Sequence, residues 1–158
     1  MPCYLFSWHG YGRWGGEPAR PTAAGGQLLL PDRVIADRYR EHAADPQACF
    51  DDATQRALLA ELQRGAERAG LRLHAASTDA ASVQAVVSWP DARPESRVRR
   101  ELHDALSAQL DSGGERVWLS HRGRRQRIGD AAQFQHVTLA TLRRAAGWRW
   151  DQRRGLQR

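Results

Sequence analysis

The stretch that most constrains the fold is residues 71–89, which read LRLHAASTDAASVQAVVSW. Two apolar runs, residues 71–76 and 83–89, flank residues 77–82, which are rich in turn formers. Alternation in the second run predicts that Val83 and Ala85 face inward while Gln84 and Val86 face outward. We therefore predict a β-hairpin at the centre of the chain, with helical segments before and after it.

The rest of the chain supplies helices and strands around this hairpin. Apolar residues recur every three or four positions in four segments, which we predict as helices: residues 32–43, 52–69, 95–110 and 130–146. Strands are predicted at residues 2–9 and 116–121 from their apolar and aromatic residues. This order predicts an α/β (α+β) fold, a ferredoxin-like antiparallel sheet with helices packed on it in a single domain. We assign residues 1–147 to that domain and residues 148–158 to a basic Trp/Arg tail.

Basic residues are concentrated at the end of the chain. Residues 1–115 carry 13 Arg and 16 acidic residues, a net charge of −3, whereas residues 116–158 carry 11 Arg and two acidic residues, a net charge of +9. Every basic residue is Arg, whose guanidinium both forks onto phosphate and stacks on bases. The pattern indicates a surface that binds a polyanion, most often nucleic acid.

The sequence gives no sign of export or membrane insertion. The first ten residues lack the basic leader and apolar core of a secretory signal, and no run approaches the roughly 18 apolar residues that a membrane helix needs. We therefore expect a cytoplasmic protein.

Candidate nucleic-acid contacts fall in three parts of the chain. A glycine-rich segment at residues 10–16 suits base stacking and phosphate contact, although a Trp packed on the sheet edge is the plainer alternative there. Four Arg occur within residues 122–127, and two more lie near the end of the last predicted helix. We predict that the following residues bind nucleic acid: Arg13, Trp14, Arg122, Arg124, Arg125, Arg127, Arg143 and Arg144. The Trp/Arg segment at the end of the chain, with Trp148 and Trp150, is a further candidate.

Three local sequences and the order of the elements resemble the HUH single-tyrosine transposases, specifically the REP-associated tyrosine transposases and their insertion-sequence relatives. The sequences are MPCYLFSWHGYGRW at residues 1–14, HAASTDAASVQAVVSW at 74–89 and GWRWDQRRGL at 147–156. The resemblance implies a small domain, commonly a homodimer, that binds DNA hairpins and single strands and is associated with the bacterial nucleoid. Active members of the family cut one strand with a tyrosine and form a 5′-phosphotyrosine.

The resemblance also implies where a metal would bind. In the family, two histidines separated by one apolar residue on the central strand hold a divalent ion that polarises the scissile phosphate. The corresponding positions here are Ser82, Val83 and Gln84, so both histidines are missing. Serine and glutamine are poor ligands for Mg²⁺ or Mn²⁺ without carboxylate help, and Asp79 is the only acid nearby. We therefore expect no metal and no other cofactor.

The family's nucleophilic tyrosine lies on the last helix, but the tyrosines of this chain are Tyr4, Tyr11 and Tyr39. His136 or a neighbour takes the corresponding place. A histidine is able to attack a phosphate in principle, yet a half-buried helix histidine is the plainer interpretation. Ser82, Gln84 and His136 are thus degenerate positions, and we predict no catalytic residue. The expected function is binding of single-stranded or hairpin DNA without strand cleavage.

Two other functions stay open at this point. One is an active transposase or nuclease with substituted chemistry, using His136 or an unrecognised acid; a specific Mn²⁺ site would favour it. The other is a protein–protein partner subunit, which would co-purify with a related transposase or another protein and retain no DNA.

Overall fold

The structure, a computed structural model, describes residues 1–11, 22–24, 27–29, 48–111, 117–120, 123–144 and 146–158. Its elements are β1 (Cys3–His9), β2 (Thr22–Ala24), β3 (Gln27–Leu29), α1 (Asp52–Arg68), β4 (Arg72–Thr78), β5 (Ser82–Ser88), α2 (Glu95–Leu110), β6 (Arg124–Arg127), α3 (Ala131–Arg144), β7 (Arg149–Asp151) and β8 (Gly155–Gln157). The predicted helix at residues 32–43 and the candidates Arg13, Trp14 and Arg122 lie outside the described residues. None of the described helices is long and apolar enough to cross a membrane.

Six strands form one antiparallel sheet in the order β6-β1-β5-β4-β7-β8, while β2 and β3 form a separate hairpin. The predicted central hairpin is β4–β5, turning at residues 79–81, and it lies in the middle of the sheet. Numbered along the chain, β1, β4, β5 and β6 stand in the spatial order fourth, first, third, second. With α1 and α2 as the connections, this is the ferredoxin-like arrangement that the sequence predicts.

Both faces of the sheet are covered by helices. On one face, Phe6, Val83 and Ala85 pack with apolar residues of α1 and α2 in what we call the main core. On the other face, Ala75 and Val86 pack with apolar residues of α3. Val86 lies on the opposite face from Val83 and Ala85, as the alternation predicts, but it is fully buried because α3 covers it. An alternating pattern describes one buried face, and here α3 buries part of the second face as well.

For the three predicted helices that the structure describes, the boundaries agree with the prediction to within two residues. Asp51 caps α1, because its Oδ1 accepts a hydrogen bond from the Thr54 N–H at 2.7 Å. Gly70 follows α1 with φ +64°, a backbone conformation that glycine adopts without strain. These two ends fix where the first strand of the central hairpin begins.

The edge strand β6 lies where the sequence analysis places only a basic segment. The predicted strand at residues 116–121 contributes, among its described residues, a single bridge between Leu119 and Gly10. Pairing with β1 begins at Arg124, which lies opposite Ser7. At Gly123, just before it, a Cβ atom would collide with the Ser7 carbonyl oxygen, and Arg99 Nη1 donates to the Gly123 carbonyl at 3.0 Å. β6 shows no alternation because all four of its residues are exposed.

Residues 149–157, within the segment set apart as a tail, form a hairpin that extends the sheet. β7 pairs with β4, and β8 pairs with β7. Trp148 and Trp150 pack against the main core. The Trp148 indole N–H donates to Asp52 Oδ1 at 2.8 Å, and the Arg56 guanidinium carbon lies 5.3 Å from the ring centroid. These partly buried tryptophans anchor the hairpin to the sheet.

Candidate nucleic-acid interface

A row of polar residues crosses the sheet from edge to edge, one from each strand. Ser7 lies opposite Gln84 on one side and Arg124 on the other. Gln84 lies opposite Ser77, Ser77 opposite Arg149, and Arg149 opposite Gln157. We call this set the polar row; in spatial order it comprises Arg124, Ser7, Gln84, Ser77, Arg149 and Gln157.

The polar row lies on the face of the sheet that α3 covers. Directly paired residues of antiparallel strands project to the same face, and so do residues two apart on one strand. Leu5 and Val86, two residues from Ser7 and Gln84, pack with the apolar residues of α3. Arg149 Nη1 donates to the Leu142 carbonyl of α3 at 3.4 Å, which places Arg149 on the same face.

The two halves of the polar row differ in access to solvent. Leu142 lies near Arg149, so the end of α3 covers the half formed by β4 and β7, where Ser77 is only 4% exposed. Towards the other edge, Gln84 is partly buried and Arg124 is exposed. Ser7 lies between them and is 7% exposed. A ligand therefore reaches the row from the side of β5, β1 and β6.

Ser82 and Gln84 share this face, as the sequence predicts for residues two apart on a strand. The Ser82 hydroxyl donates to Asp79 Oδ2 at 2.9 Å, and Asp79 Oδ1 accepts from the Ala81 N–H at 2.7 Å. Both carboxylate oxygens of Asp79 are therefore engaged in closing the β4–β5 turn. In the described part of the chain, no three His, Cys, Asp or Glu side chains are grouped so as to hold a metal ion. Ser82 and Gln84 offer only neutral oxygen atoms, and the carboxylate of Asp79 is already engaged in hydrogen bonds.

His136 is exposed on α3, while Val137 and Thr141 of the same helix are buried. At the helical period, the latter two face the sheet and His136 lies on the solvent side. The structure therefore does not bring His136 onto the same side of α3 as the polar row. The sequence of α3 contains no tyrosine.

The Arg residues of β6 are divided between the two faces of the sheet. Arg124 pairs with Ser7 and projects towards the α3 side. Arg125 pairs with Phe6, a main-core residue, and forms an ion pair with Glu95 of α2. Arg127 pairs with Tyr4 and projects to that same side. Among the described members of the predicted basic cluster, Arg124 thus lies on the opposite face of the sheet from Arg125 and Arg127.

Three of the predicted DNA contacts are exposed Arg residues that form no ion pair with another described residue. Arg124 and Arg127 are exposed on β6, and Arg143 is exposed on α3. No ion pair with a described carboxylate forms at any of the three. Arg144 ends α3, and its side chain is outside the described set. Of these three, Arg124 projects from the sheet towards α3, and Arg143 lies on α3 itself.

Ser7 and Arg149 are members of the site that the sequence does not predict. Both lie in local sequences that resemble the transposases, but they join the row only through the register between strands that are distant in sequence. The one available signal was the alternation of β1, which places Ser7 on the face opposite Phe6.

His74 fastens α3 to the far end of the same face. Its Nε2 lies 2.8 Å from Ser88 Oγ, and its ring meets the Phe134 ring edge-on, with centroids 4.9 Å apart. Burial, and secondarily the positive charge of Arg72, lowers the pKa of His74 below its ordinary value of 6.5. Burial therefore favours the neutral form of His74 where its ring packs against Phe134 of α3.

Comparisons with known proteins support a distant relationship in fold. No family model and no curated protein matches the chain. Among solved structures, the chain is similar to a REP-associated tyrosine transposase that was solved bound to a REP hairpin, with a TM-score of 0.53 and 9% sequence identity. The match covers 89% of this chain and 64% of the length of that protein. At this identity the likeness concerns the fold.

Proposed function

We propose that this chain is a DNA-binding protein derived from a single-tyrosine transposase, and that it binds hairpin or single-stranded DNA without cutting it. The observation that carries the proposal is the open half of the polar row, which ends in Arg124, an exposed residue with no ion pair to any described carboxylate. This surface belongs to a fold similar to that of a transposase solved with a REP hairpin. The net charge of +9 over residues 116–158 supports a polyanionic ligand.

The proposal that the DNA stays uncut rests on two features. Ser82 and Gln84 occupy the positions where the resemblance places the metal-binding histidines, and their donor set does not suit a divalent ion. α3 carries no tyrosine, and His136 lies on its solvent side. Without a metal to stabilise charge on the phosphate and without a positioned nucleophile, strand cleavage has no route.

Arginine residues on an edge strand also have an explanation that does not involve DNA, and the experiment has to distinguish the two. Charged side chains on sheet edges prevent edge-to-edge aggregation, and β6 is such an edge. Protection of the edge requires only charged side chains, and they protect it from either face of the sheet. DNA binding at the polar row instead requires positive charge on the α3 side.

The experiment compares two variants that each lose two exposed positive charges from opposite sides of the protein. Arg124→Ala/Arg143→Ala removes charge from the α3 side, and Arg97→Ala/Arg100→Ala removes it from α2. Fluorescence anisotropy measures the affinity for a DNA hairpin with a single-stranded extension at several salt concentrations. If about five phosphates are neutralised, the log–log salt slope of the unmodified protein is roughly −4.

We expect the α3-side variant to bind more weakly and to flatten the salt slope by about 1.5, because two phosphate contacts are lost. The α2-side variant should keep the slope of the unmodified protein. Equal losses in both variants, or no binding by the unmodified protein, would reject the proposal. Circular dichroism confirms that both variants are folded.

The proposal extends to the other candidate contacts and to the setting in which the protein acts. Arg13, Trp14, Arg122, Arg125, Arg127 and Arg144 stay predicted contacts. A homodimer acting in the bacterial cytoplasm at the nucleoid is part of the same proposal. Light scattering of the protein alone and with hairpin DNA measures the stoichiometry directly.

A further inference from the structure

We propose that Arg124, Ser7 and Gln84 form a notch that binds one DNA phosphodiester directly, without a metal ion. This inference rests on the proposed function, since it names the group of the DNA that the polar row receives. It assigns a binding role to Ser7 and Gln84 that no sequence motif indicates.

The shape of the notch follows from strand register. Arg124 and Gln84 lie on β6 and β5, on either side of Ser7 on β1. Neighbouring strands are about 4.8 Å apart, so the Cα atoms of the two outer residues are separated by roughly 10 Å. Serine is short, whereas arginine and glutamine are long. Ser7 therefore forms the floor, and the two longer side chains form the walls.

The notch presents hydrogen-bond donors. A guanidinium has five N–H donors in a planar fork, a carboxamide has two, and a serine hydroxyl has one. No described residue forms an ion pair with Arg124 or a side-chain hydrogen bond with Gln84, so both keep their donors available. An anion of tetrahedral shape with several acceptor oxygens matches this set.

The carboxylates that the structure describes near this part of the sheet are engaged with partners other than Arg124. Asp79, at the turn beside this end of β5, accepts hydrogen bonds with both of its oxygens. Asp130, before α3, accepts from the Gln133 N–H at 2.8 Å. Glu95 is paired with Arg125 on the opposite face. Because Ser7 is 7% exposed, a phosphate above it is partly shielded from water, which strengthens a charge-assisted hydrogen bond.

Arg127 provides a matched comparison for Arg124, because the readout is sensitivity to one phosphodiester and does not depend on any other phosphate that Arg127 contacts. Both are exposed on the same four-residue strand, and neither forms an ion pair with a described residue. Their side chains project to opposite faces, since Arg124 pairs with Ser7 and Arg127 with Tyr4. Removing either one changes the net charge and the sheet edge equally, but only Arg124 belongs to the notch.

The experiment locates the phosphodiester on the DNA. In a DNA hairpin with a single-stranded extension, each phosphodiester in turn is replaced by a neutral methylphosphonate, and affinities are measured in EDTA. For the unmodified protein we expect one linkage whose neutralisation weakens binding about tenfold, the size expected for a lost charge-assisted hydrogen bond. The same linkage should have no effect in Arg124→Ala and its full effect in Arg127→Ala.

A second variant tests the other wall. Gln84→Glu keeps the size of the side chain and places a negative charge beside the phosphate, so it should remove the sensitivity to that linkage and weaken binding at least as much as Arg124→Ala. The notch would be overturned if Arg124→Ala remained sensitive to that linkage, or if the unmodified protein lost its affinity in EDTA. Neither result would contradict hairpin binding itself. No binding by the unmodified protein would overturn the proposed function itself.

Discussion

His74 shows how one side chain couples the docking of a helix to pH. Its ring sits between Ser88 of β5 and Phe134 of α3. Burial lowers the pKa of His74 in the folded protein below the value of 6.5 that it has when unfolded. The unfolded chain therefore binds more protons between those two values. It follows that the stability contributed by His74 is complete above pH 6.5 and falls as the pH decreases through that window.

The prediction is that His74→Gln reduces the loss of stability on acidification. Glutamine is able to keep a hydrogen bond to Ser88 but does not titrate. The free energy of unfolding is measured with urea at several pH values between about 8 and 5, because this range brackets the ordinary pKa of histidine. His136→Gln, an exposed change on the same helix, controls for the effect of a His-to-Gln replacement in itself. Equal pH dependence in His74→Gln and the unmodified protein would show that His74 does not control it.

Gly147 lies where the chain passes too close to its neighbours for any side chain. A Cβ there would collide with the Gln55 side chain and the Thr78 carbonyl oxygen. Gly147→Ala should therefore destabilise the protein by about 1–3 kcal/mol, as overpacking in a filled interior does. Gly129→Ala is the control, since its nearest neighbour would be Gln133 Oε1 at 3.7 Å, and we expect little change. Urea midpoints compare the two; similar midpoints would contradict the tight passage.

A helix or strand that buries one face has a periodic pattern of apolar residues, so elements of this kind can be predicted from the sequence. The helices at residues 52–68 and 95–110 carry an apolar stripe, and the central hairpin carries an apolar run, so all three are recognisable from the sequence. β6 has no buried face, and its four exposed residues give no pattern. β7 and β8 are three residues each, which is too short for a period to be seen.

The hairpin of β7 and β8 is held by Trp148, and this gives a prediction that separates structure from DNA contact. Trp148→Ala should cost about 2–4 kcal/mol of stability, since a largely packed indole and its hydrogen bond to Asp52 are lost. Arg153→Ala, an exposed change in the same hairpin, should stay within about 0.5 kcal/mol. Denaturant unfolding measures both. A Trp148→Ala protein of unchanged stability and reduced DNA affinity would assign the indole to base stacking instead.

For the whole molecule, the candidate site is a product of topology. The alternation of β5 places Ser82 and Gln84 on one face, and composition locates the excess of Arg at the end of the chain. The polar row also needs Ser7 and Arg124, which are 117 positions apart in sequence and meet only because β6 pairs with β1. Long-range register of this kind leaves no local trace in a single sequence. The same register separates Arg124 from Arg125 and Arg127, which the sequence alone treats as one cluster.

The central claim is that this fold binds hairpin DNA and does not cut it. The most direct measurement incubates the protein with an end-labelled DNA hairpin carrying a single-stranded extension, in Mn²⁺, and divides each sample between a native and a denaturing gel. We predict a protein–DNA complex on the native gel and, on the denaturing gel, only full-length free DNA. A shortened strand or a covalent protein–DNA product would contradict the absence of cleavage, and a hairpin that is never bound would contradict the claim as a whole.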